Sequence, residues 1–212
     1  MHNNFEVEQY EKIHYYKNAF KDPYEFIEFV ENTDKNFTNK TSIENWIWWR
    51  RPSDNYGKIK NIRKSILKET NKDMLWINQQ IVDAMIPCID HYLSVHDVKI
   101  AKEFMYGNHG HKTLSINKYF TNAELSDHVD SFGDDNSPTL STVIYLNDNY
   151  EGGNIVFKEQ GIDIKPEAGS LVIFPSTPPY YHKSSRIISG TKYMILQFWF
   201  KPEILKNVGI ND

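Results

Sequence analysis

The sequence predicts an α+β fold that is mainly β, in which N-terminal helices pack on one sheet of a double-stranded β-helix (jelly roll). Two observations support this expectation. Before about residue 100, apolar residues recur at the spacing of amphipathic helices, whereas from about residue 102 the chain consists of short β-rich runs separated by Gly, Pro, Asn and Asp. Two sheets packed face to face also leave a mouth in which a small ligand can be held.

Two segments of the N-terminal part carry a helical pattern. Residues 23–30 are typical of a short amphipathic helix, with Asp22 as its N-cap and Pro23 at the first helical position. Residues 75–93 place apolar side chains mostly three and four positions apart, which predicts a longer helix that is bent or interrupted at Pro87. We expect both helices to cover the outer face of one sheet.

Six later runs have the composition of strands. They are rich in β-branched, aromatic and other apolar residues and are bounded by turn formers. They span residues 114–120, 140–146, 154–157, 162–164, 170–174 and 193–200. Residues 148–153 and 167–169 supply turn chemistry that reverses the chain between them. This series suits the two sheets of a jelly roll.

Length and charge fit one globular unit. At 212 residues, a single core can bury roughly 70% of the surface of the unfolded chain. We therefore expect one domain over 1–212, with a helical part at about 1–100 and the jelly roll at about 101–203. The net charge of -4 gives no basic footprint, so we expect no nucleic-acid partner. The sequence leaves the oligomeric state open.

The cellular context is predicted from cysteine usage and from the absence of targeting patterns. Cys88 is the single cysteine, which excludes an intramolecular disulfide and agrees with a reducing compartment. The first residues lack the basic region and apolar core of a secretion signal, and no run approaches the roughly 18 apolar residues of a membrane span. We expect a cytoplasmic protein with no membrane partner.

Two imidazoles and one carboxylate carry the clearest chemical signal. In His128-Val129-Asp130, side chains i and i+2 project from the same side of an extended strand, so both can reach one ion from a strand end or the loop after it. His182 lies far enough along the chain for several strands to bring it back beside them. Such a set occupies one face of an octahedral non-haem iron(II) and leaves the opposite face open. Alone, the triplet is more typical of a solvated loop.

The remaining histidines have weaker patterns. His109 and His111 are also two residues apart, but the glycines around them mark a turn. His91 and His96 lie near the end of the second helical segment, where we expect surface or capping roles. Lys192, by contrast, begins the last strand-like run and can place a cation deep in the cavity that holds the iron.

The C-terminal half of the chain matches a known pattern at more than these positions. The motifs are residues 114–119 (LSINKY), 128–130 (HVD), 141–147 (STVIYLN), 150–157 (YEGGNIVF), 166–175 (PEAGSLVIFP), 189–193 (SGTKY) and 198–200 (FWF), together with His182. At these residues the chain resembles the 2-oxoglutarate and iron(II)-dependent dioxygenases, and among them the prolyl 4-hydroxylase-like branch. Lysine at position 192, where many relatives have arginine, favours that branch.

The resemblance implies a role for each matching residue. The two histidines and the aspartate described above would bind Fe(II) and form the catalytic centre, with dioxygen at the remaining iron position. Lys192 would pair with the distal carboxylate of 2-oxoglutarate, and Tyr119 would donate a hydrogen bond to the same carboxylate. Thr142, assigned to an inward-facing strand position, is a further candidate for this pocket.

Three residues are candidates for contact with substrate. Arg186 follows His182 by four positions, and Tyr181 directly precedes it. Trp49 belongs to the aromatic segment 46–50, and flat aromatic faces hold proline rings and peptide backbones well. Each also has a structural interpretation: Arg186 as a solvated charge, and the aromatic side chains as packing against the sheet.

The function that the resemblance implies is that of an oxidoreductase hydroxylating an unactivated C–H bond, with succinate and carbon dioxide as co-products. A peptidyl proline is the expected target, so a proline-containing protein or peptide is the expected partner, and ascorbate is a candidate accessory reductant. The carboxylate of Asp130 favours hydroxylation, because related halogenases have a small residue there. Two alternatives stay open: hydroxylation of a small molecule such as a free amino acid, and a non-catalytic jelly-roll binding module.

Overall fold

A large antiparallel sheet organises the part of the chain that the computed structural model describes, namely residues 5–36, 47–48, 58–61, 72–102, 115–133 and 137–203. The helices are α1 (Pro23–Asn36) and α2 (Lys72–Val95). The strands are β1 (Glu6–Tyr10), β2 (Ile13–Lys17), β3 (Ile47–Trp48), β4 (Lys58–Asn61), β5 (Ser115–Tyr119), β6 (Leu125–His128), β7 (Leu140–Tyr145), β8 (Glu151–Gly152), β9 (Ile155–Phe157), β10 (Ile162–Ile164), β11 (Leu171–Pro175), β12 (His182–Ser184), β13 (Ile187–Ser189) and β14 (Lys192–Trp199).

The strands form two facing sheets and a short ribbon. The large sheet has the order β1-β2-β11-β7-β14-β5-β4-β3, and the small sheet has the order β10-β9-β12-β6. β8 and β13 pair separately. The pairings are antiparallel, and most join strands that are not consecutive in the chain. The predicted jelly roll is therefore confirmed.

Side chains alternate between the two faces of the large sheet. On β11, Leu171 and Ile173 pack with the helices, whereas Val172 and Phe174 pack with the small sheet. All four are fully buried, because successive residues of a strand point to opposite faces and both faces are covered. Each buried side chain of this kind stabilises the fold by about 1.5–3 kcal/mol. The continuous apolar run of β11 follows from this double coverage.

The first helix begins where the sequence indicates and extends further. The Phe26 amide donates to the Asp22 carbonyl at 3.1 Å, which places Asp22 at the N-cap and Pro23 at the first helical position. Phe26 and Val30, one helical turn apart, are buried against the large sheet together with residues of α2. Both helices thus lie on the outer face of that sheet, as expected.

The second helix continues through Pro87 without the interruption that the sequence suggested. Proline removes one intrahelical hydrogen bond, a cost of about 3 kcal/mol. Burial of the side chains before and after Pro87 offsets this cost, since Met85, Cys88 and Ile89 are fully buried in the same core. No helix among the described residues is long and apolar enough to cross a membrane.

The N-terminal part also contains strands, which corrects the expectation of a helical segment at about 1–100. β1 and β2 form a hairpin, and β2 extends the large sheet by pairing with β11. Ile13 and Tyr15 face the small sheet, whereas Tyr16 faces the helices. Because residues on both faces of β2 are buried, its sequence lacks the polar and apolar alternation of a half-exposed strand.

A histidine cluster joins β2 to the end of α2. Nε2 of His14 lies 2.9 Å from Nε2 of His96, and the Tyr16 hydroxyl lies 3.2 Å from Nδ1 of His14 and 3.0 Å from Nδ1 of His91. The expected surface or capping roles of His91 and His96 are therefore wrong. His14 is fully buried, and burial together with its two histidine neighbours lowers its pKa to about 4.

We expect the free energy of unfolding to fall as the pH is lowered from about 6.5 toward 4. In this window the unfolded chain binds a proton at residue 14 that the folded protein does not bind. Between pH 7 and pH 5 this group alone should cost about 2 kcal/mol. Urea unfolding at the two pH values measures the loss. His14→Phe keeps a ring but takes up no proton, so its loss should be smaller; equal losses would contradict the assignment to His14.

Candidate metal centre

The two histidines of the predicted site lie directly opposite each other on neighbouring strands. His128 is the last residue of β6, His182 is the first residue of β12, and the antiparallel pairing of these strands aligns them. Asp130 follows in the loop after β6. Its Oδ1 lies 3.5 Å from Nε2 of His128, and its Oδ2 lies 3.7 Å from Nε2 of His182. The fold therefore brings the three predicted side chains together.

Backbone carbonyls fix which nitrogen of each imidazole faces the centre. Nδ1 of His128 lies 2.8 Å from the Ser126 carbonyl, and Nδ1 of His182 lies 3.2 Å from the Tyr180 carbonyl. A carbonyl oxygen can only accept, so each Nδ1 carries a proton and donates it. In the neutral ring, Nε2 then keeps its lone pair. Metal-binding histidines are held in this way.

The two imidazoles differ in exposure. His182 is buried, and its ring packs against the rings of Phe174 and Phe157 with centroid distances of 4.6 Å and 5.6 Å. His128 keeps 31% of its side chain exposed, and Phe132, two residues after Asp130, is 82% exposed. Within the described residues, the core closes the His182 side of the centre, whereas the His128 side opens to solvent.

Burial and neighbouring charges set the protonation of the three groups. Burial lowers the pKa of His182, against the opposing effect of Asp130. Burial also acts to lower the pKa of His128, but hydrogen bonds with Asp130 and the Ser126 carbonyl outweigh it and raise the pKa. For Asp130, burial acts to raise the pKa, but the imidazoles and the Ser141 hydroxyl outweigh it, so the pKa is lowered. An ionised carboxylate beside a neutral imidazole is prepared for a cation.

This donor set fits the iron that the sequence pattern implies. Nitrogen atoms of His128 and His182 and an oxygen of Asp130 all lie within 4.8 Å of one another, and they are the one such group found among the described residues. Two imidazoles, which bind a metal in their neutral form, and one carboxylate form the three-ligand set of non-haem iron(II) centres, which leaves coordination positions open. The site is thus suited to hold Fe(II) and further ligands.

Ser141 and Ser176 surround the carboxylate and were missed by the sequence reasoning. The Ser141 hydroxyl donates to Oδ2 of Asp130 at 2.5 Å, and its oxygen lies 2.8 Å from the Ser176 hydroxyl. Both serines are fully buried. The available signal was a polar Ser141-Thr142 pair in an otherwise apolar strand, but deciding which of the two faces the centre requires the register of β7.

Lys192 is buried between the sheets. It pairs across the strands with Tyr119, and its Nζ donates to the Gly153 carbonyl at 2.5 Å and to the Ser184 hydroxyl at 3.2 Å. No carboxylate in the described ranges forms an ion pair with it. Burial lowers its pKa to about 7. Such an ammonium group is ready to pair with the carboxylate of a ligand.

Ser184 connects the lysine to the metal centre. Ser184 and His182 are residues i and i+2 of β12, so both project from the same side of that strand. The contact of Lys192 with Ser184 therefore places the ammonium group in the same space between the sheets, roughly 6.6 Å along the strand from the histidine. This separation suits a five-carbon dicarboxylate with one end at the metal and the other at the lysine.

Aromatic rings and a glycine shape the lysine pocket. Nζ of Lys192 lies 5.0 Å from the ring centre of Tyr145 and 5.8 Å from that of Tyr150, residues that the sequence reasoning did not assign to the site. The Tyr150 hydroxyl is buried without a hydrogen-bond partner among the described residues. Gly153 has φ of 68°, and a Cβ there would lie 2.9 Å from the Tyr150 ring, so this turn requires glycine.

Thr142 does not belong to this pocket. Its hydroxyl accepts a hydrogen bond of 2.6 Å from Nε1 of Trp199, which is buried on the helix side of the large sheet. Leu140 and Ile144, two residues away in each direction, face the same side. The expected inward orientation is wrong by one residue, because Ser141 occupies the inward position.

The candidate substrate contacts have different outcomes. Arg186 is exposed and pairs with Glu124 at 3.1 Å, as the solvated-charge interpretation expects. Tyr181 is half-buried beside His182, and its amide donates to the Pro179 carbonyl. Trp49 lies outside the described residues, so its predicted contact with substrate stays a prediction.

Comparison with known proteins identifies the segment that carries the site. Residues 114–201 match the sequence family described as the 2OG-Fe(II) oxygenase superfamily. This part of the chain is a 2OG-Fe(II) oxygenase domain. Membership implies Fe(II), 2-oxoglutarate (2OG) and dioxygen as the reactive components, in agreement with the donor set of the metal centre. A search of curated protein sequences finds no match.

Solved prolyl hydroxylases share the fold of this chain. A prolyl hydroxylase from Trichoplax adhaerens, in complex with a peptide fragment of the hypoxia inducible factor oxygen degradation domain, is 14% identical with a TM-score of 0.60, covering 92% of this chain and 86% of that one. The viral collagen prolyl hydroxylase of Paramecium Bursaria Chlorella virus-1, in complex with 2OG, is 15% identical with a TM-score of 0.54, covering 90% and 96%. A Pseudomonas putida prolyl-4-hydroxylase is 16% identical with a TM-score of 0.51, covering 89% and 92%.

We expect Asp130→Ala to weaken Fe(II) or Co(II) binding by more than about 100-fold, which exceeds the effect of losing an outer partner of a ligand. The fold should persist, because the carboxylate contributes little to the apolar core. Metal titration followed by circular dichroism measures both properties. The matched control is Asp127→Ala, an exposed carboxylate on β6, which should leave metal affinity nearly unchanged. Unfolding of the Asp130 variant would instead indicate a structural role.

We expect Lys192→Met to bind 2-oxoglutarate far more weakly while stabilising the unliganded protein by about 1–4 kcal/mol. Since the pKa of the buried ammonium is lowered to about 7, its charge opposes folding below pH 10.5, and an apolar side chain removes this cost. Calorimetric titration and urea unfolding test the two effects. Lys118→Met, on the other face of the neighbouring β5, breaks an ion pair with Glu31 and should lower stability without affecting 2-oxoglutarate. The reverse pattern would make Lys192 structural.

Proposed function

We propose that this protein hydroxylates a peptidyl proline and forms succinate and carbon dioxide as co-products. The observation that carries the proposal is the placement of two different binding groups in one space between the sheets. The donor set of His128, Asp130 and His182 suits a metal, and the buried Lys192 reaches Ser184, two residues from His182 on the same strand. One small dicarboxylate can engage both.

The residues of the chain have distinct tasks in this reaction. Bound iron(II) and 2-oxoglutarate supply the activation of dioxygen for insertion of one oxygen atom into an unactivated C–H bond. Asp130 provides negative charge to the metal, while His182 holds it through a nitrogen that the Tyr180 carbonyl orients. Lys192 holds the far carboxylate of the co-substrate, where the surrounding apolar core strengthens the charge-assisted contact.

Packing around the centre excludes water from one side and admits substrate from the other. The rings of Phe157 and Phe174 cover His182, and Lys192 at the co-substrate end is buried, so both side chains are shielded from solvent. His128 and Phe132 lie at the open side. A substrate that approaches there meets an exposed aromatic ring, and flat aromatic faces pack well on proline rings.

Support for a peptidyl proline comes from the folds that this chain resembles. The three solved proteins described above are prolyl hydroxylases, and the Trichoplax adhaerens protein is bound to a peptide fragment. Their identities of 14–16% support the shared architecture, and the choice of substrate is our proposal. A peptide needs an open approach, and the exposed His128 side of the centre provides one.

The decisive experiment measures succinate and product together. The protein is incubated with Fe(II), 2-oxoglutarate and ascorbate, and with a library of proline-containing peptides, each matched by a peptide with alanine in place of proline. We expect succinate formation coupled to the mass gain of one oxygen atom on the proline peptides alone, and no turnover by Asp130→Ala. Hydroxylation of free amino acids instead would assign a small-molecule substrate. Absence of 2-oxoglutarate turnover under every condition would count against catalysis.

A further inference from the structure

A buried pair of serines lies behind the metal-binding carboxylate. The Ser141 hydroxyl donates to Oδ2 of Asp130 at 2.5 Å, and the Ser176 hydroxyl lies 2.8 Å from the Ser141 oxygen. A hydroxyl group has one proton to donate. Because Ser141 gives its proton to the carboxylate, Ser176 must donate to Ser141. The two hydroxyls therefore form a directed chain that ends on one oxygen of Asp130.

The backbone holds the same three elements together. The Ser131 amide donates to the Ser176 carbonyl at 2.9 Å, and the Ser176 amide donates to the Thr139 carbonyl at 3.0 Å. Ser176 thus fixes the residue after Asp130 through its main chain and orients Ser141 through its side chain. Both serines are fully buried, so water does not compete for these hydrogen bonds. The geometry of the carboxylate is set before any metal arrives.

We propose that Ser141, oriented by Ser176, is a positioning residue that makes Asp130 bind the metal through Oδ1 alone. This inference rests on the metal-binding role proposed for Asp130. Oδ2 accepts the Ser141 proton and lies 3.7 Å from Nε2 of His182, whereas Oδ1 lies 3.5 Å from Nε2 of His128 and receives no proton from the serine pair. A carboxylate held by one oxygen takes one coordination position, which leaves three for the co-substrate and dioxygen. A carboxylate bound through both oxygens would take a second position.

Removing the hydroxyl should have two effects on the centre. Oδ2 of Asp130 would lose its donor while still buried, which leaves a charged acceptor unsatisfied. The carboxylate could then rotate and offer both oxygens to the metal. Loss of an outer partner of a metal ligand typically weakens metal binding by about 10–100-fold. The coordination number should change together with the affinity.

Four variants separate this positioning role from general destabilisation. Ser141→Ala removes the donor, and Ser141→Thr retains a hydroxyl at the same position. Ser176→Ala leaves Ser141 in place but removes the hydroxyl that orients it. This variant provides a second test if Ser141→Ala does not fold. The control is Thr142→Val, which removes the adjacent buried hydroxyl on the opposite face of β7, where it accepts from Trp199. Thr142→Val should lower the stability of the protein without affecting the metal centre.

Co(II) is the probe, because the intensity of its visible absorption reports coordination number. We expect Ser141→Ala to bind Co(II) about 10–100-fold more weakly with an altered spectrum. Ser141→Thr should restore both properties to nearly wild-type values, and Ser176→Ala should give a smaller loss of affinity. Thr142→Val should keep wild-type affinity and spectrum at reduced thermal stability. These readouts do not depend on turnover.

The outcomes also separate this proposal from the proposed function. A wild-type protein that binds no Co(II) would overturn the metal centre and this inference together. A wild-type protein that binds Co(II), with unchanged affinity and spectrum in both Ser141→Ala and Ser176→Ala, would overturn the positioning role alone. Equal weakening by Thr142→Val would do the same, because the effect would then follow from stability and not from the carboxylate.

Discussion

The pairing of β6 with β12 is the constraint on which the site depends. It sets His128 and His182 opposite each other, although each belongs to a strand of only three or four residues. Neither strand is long enough to be stable alone, so their pairing requires β9 beside β12 and the large sheet behind them. The core between the sheets, which includes Phe157 and Phe174, therefore determines the distance between the two imidazoles. Metal binding and folding are coupled through this small sheet.

The buried side chains of His14 and Lys192 show how the environment of a basic group differs between the two halves of the core. His14 lies on the helix side of the large sheet among other neutral rings, where its lowered pKa of about 4 keeps it uncharged and compatible with the core. Lys192 lies on the other side with carbonyl and hydroxyl acceptors but no carboxylate among the described residues, and its pKa of about 7 leaves it partly charged near neutral pH. The first arrangement is satisfied internally, whereas the second leaves the ammonium group able to pair with an anionic ligand.

Much of the fold and the metal ligands could be predicted because their signals are local or because the family pattern names the residues. The apolar run of β11 and the helical spacing of α2 needed only neighbouring residues. Facts that depend on register could not be predicted: a shift of one residue decides whether Ser141 or Thr142 faces the centre. Contacts between distant segments could not be predicted either, since nothing near His96 in the sequence indicates that it contacts His14.

Strands of the large sheet carry side chains on both of its faces and so connect the helices to the site. Lys192 and Tyr193 are neighbours on β14; the lysine faces the space between the sheets, while the Tyr193 hydroxyl donates to Glu31 of α1 at 2.9 Å. Lys118, on β5 beside them, donates to the same carboxylate at 2.7 Å. Because adjacent residues of one strand share a backbone, the anchoring of α1 by Glu31 restrains the position of the ammonium group on the opposite face. Helix α1 thus restrains the Lys192 end of the site, although its anchoring contacts with Tyr193 and Lys118 lie on the helix side of the large sheet.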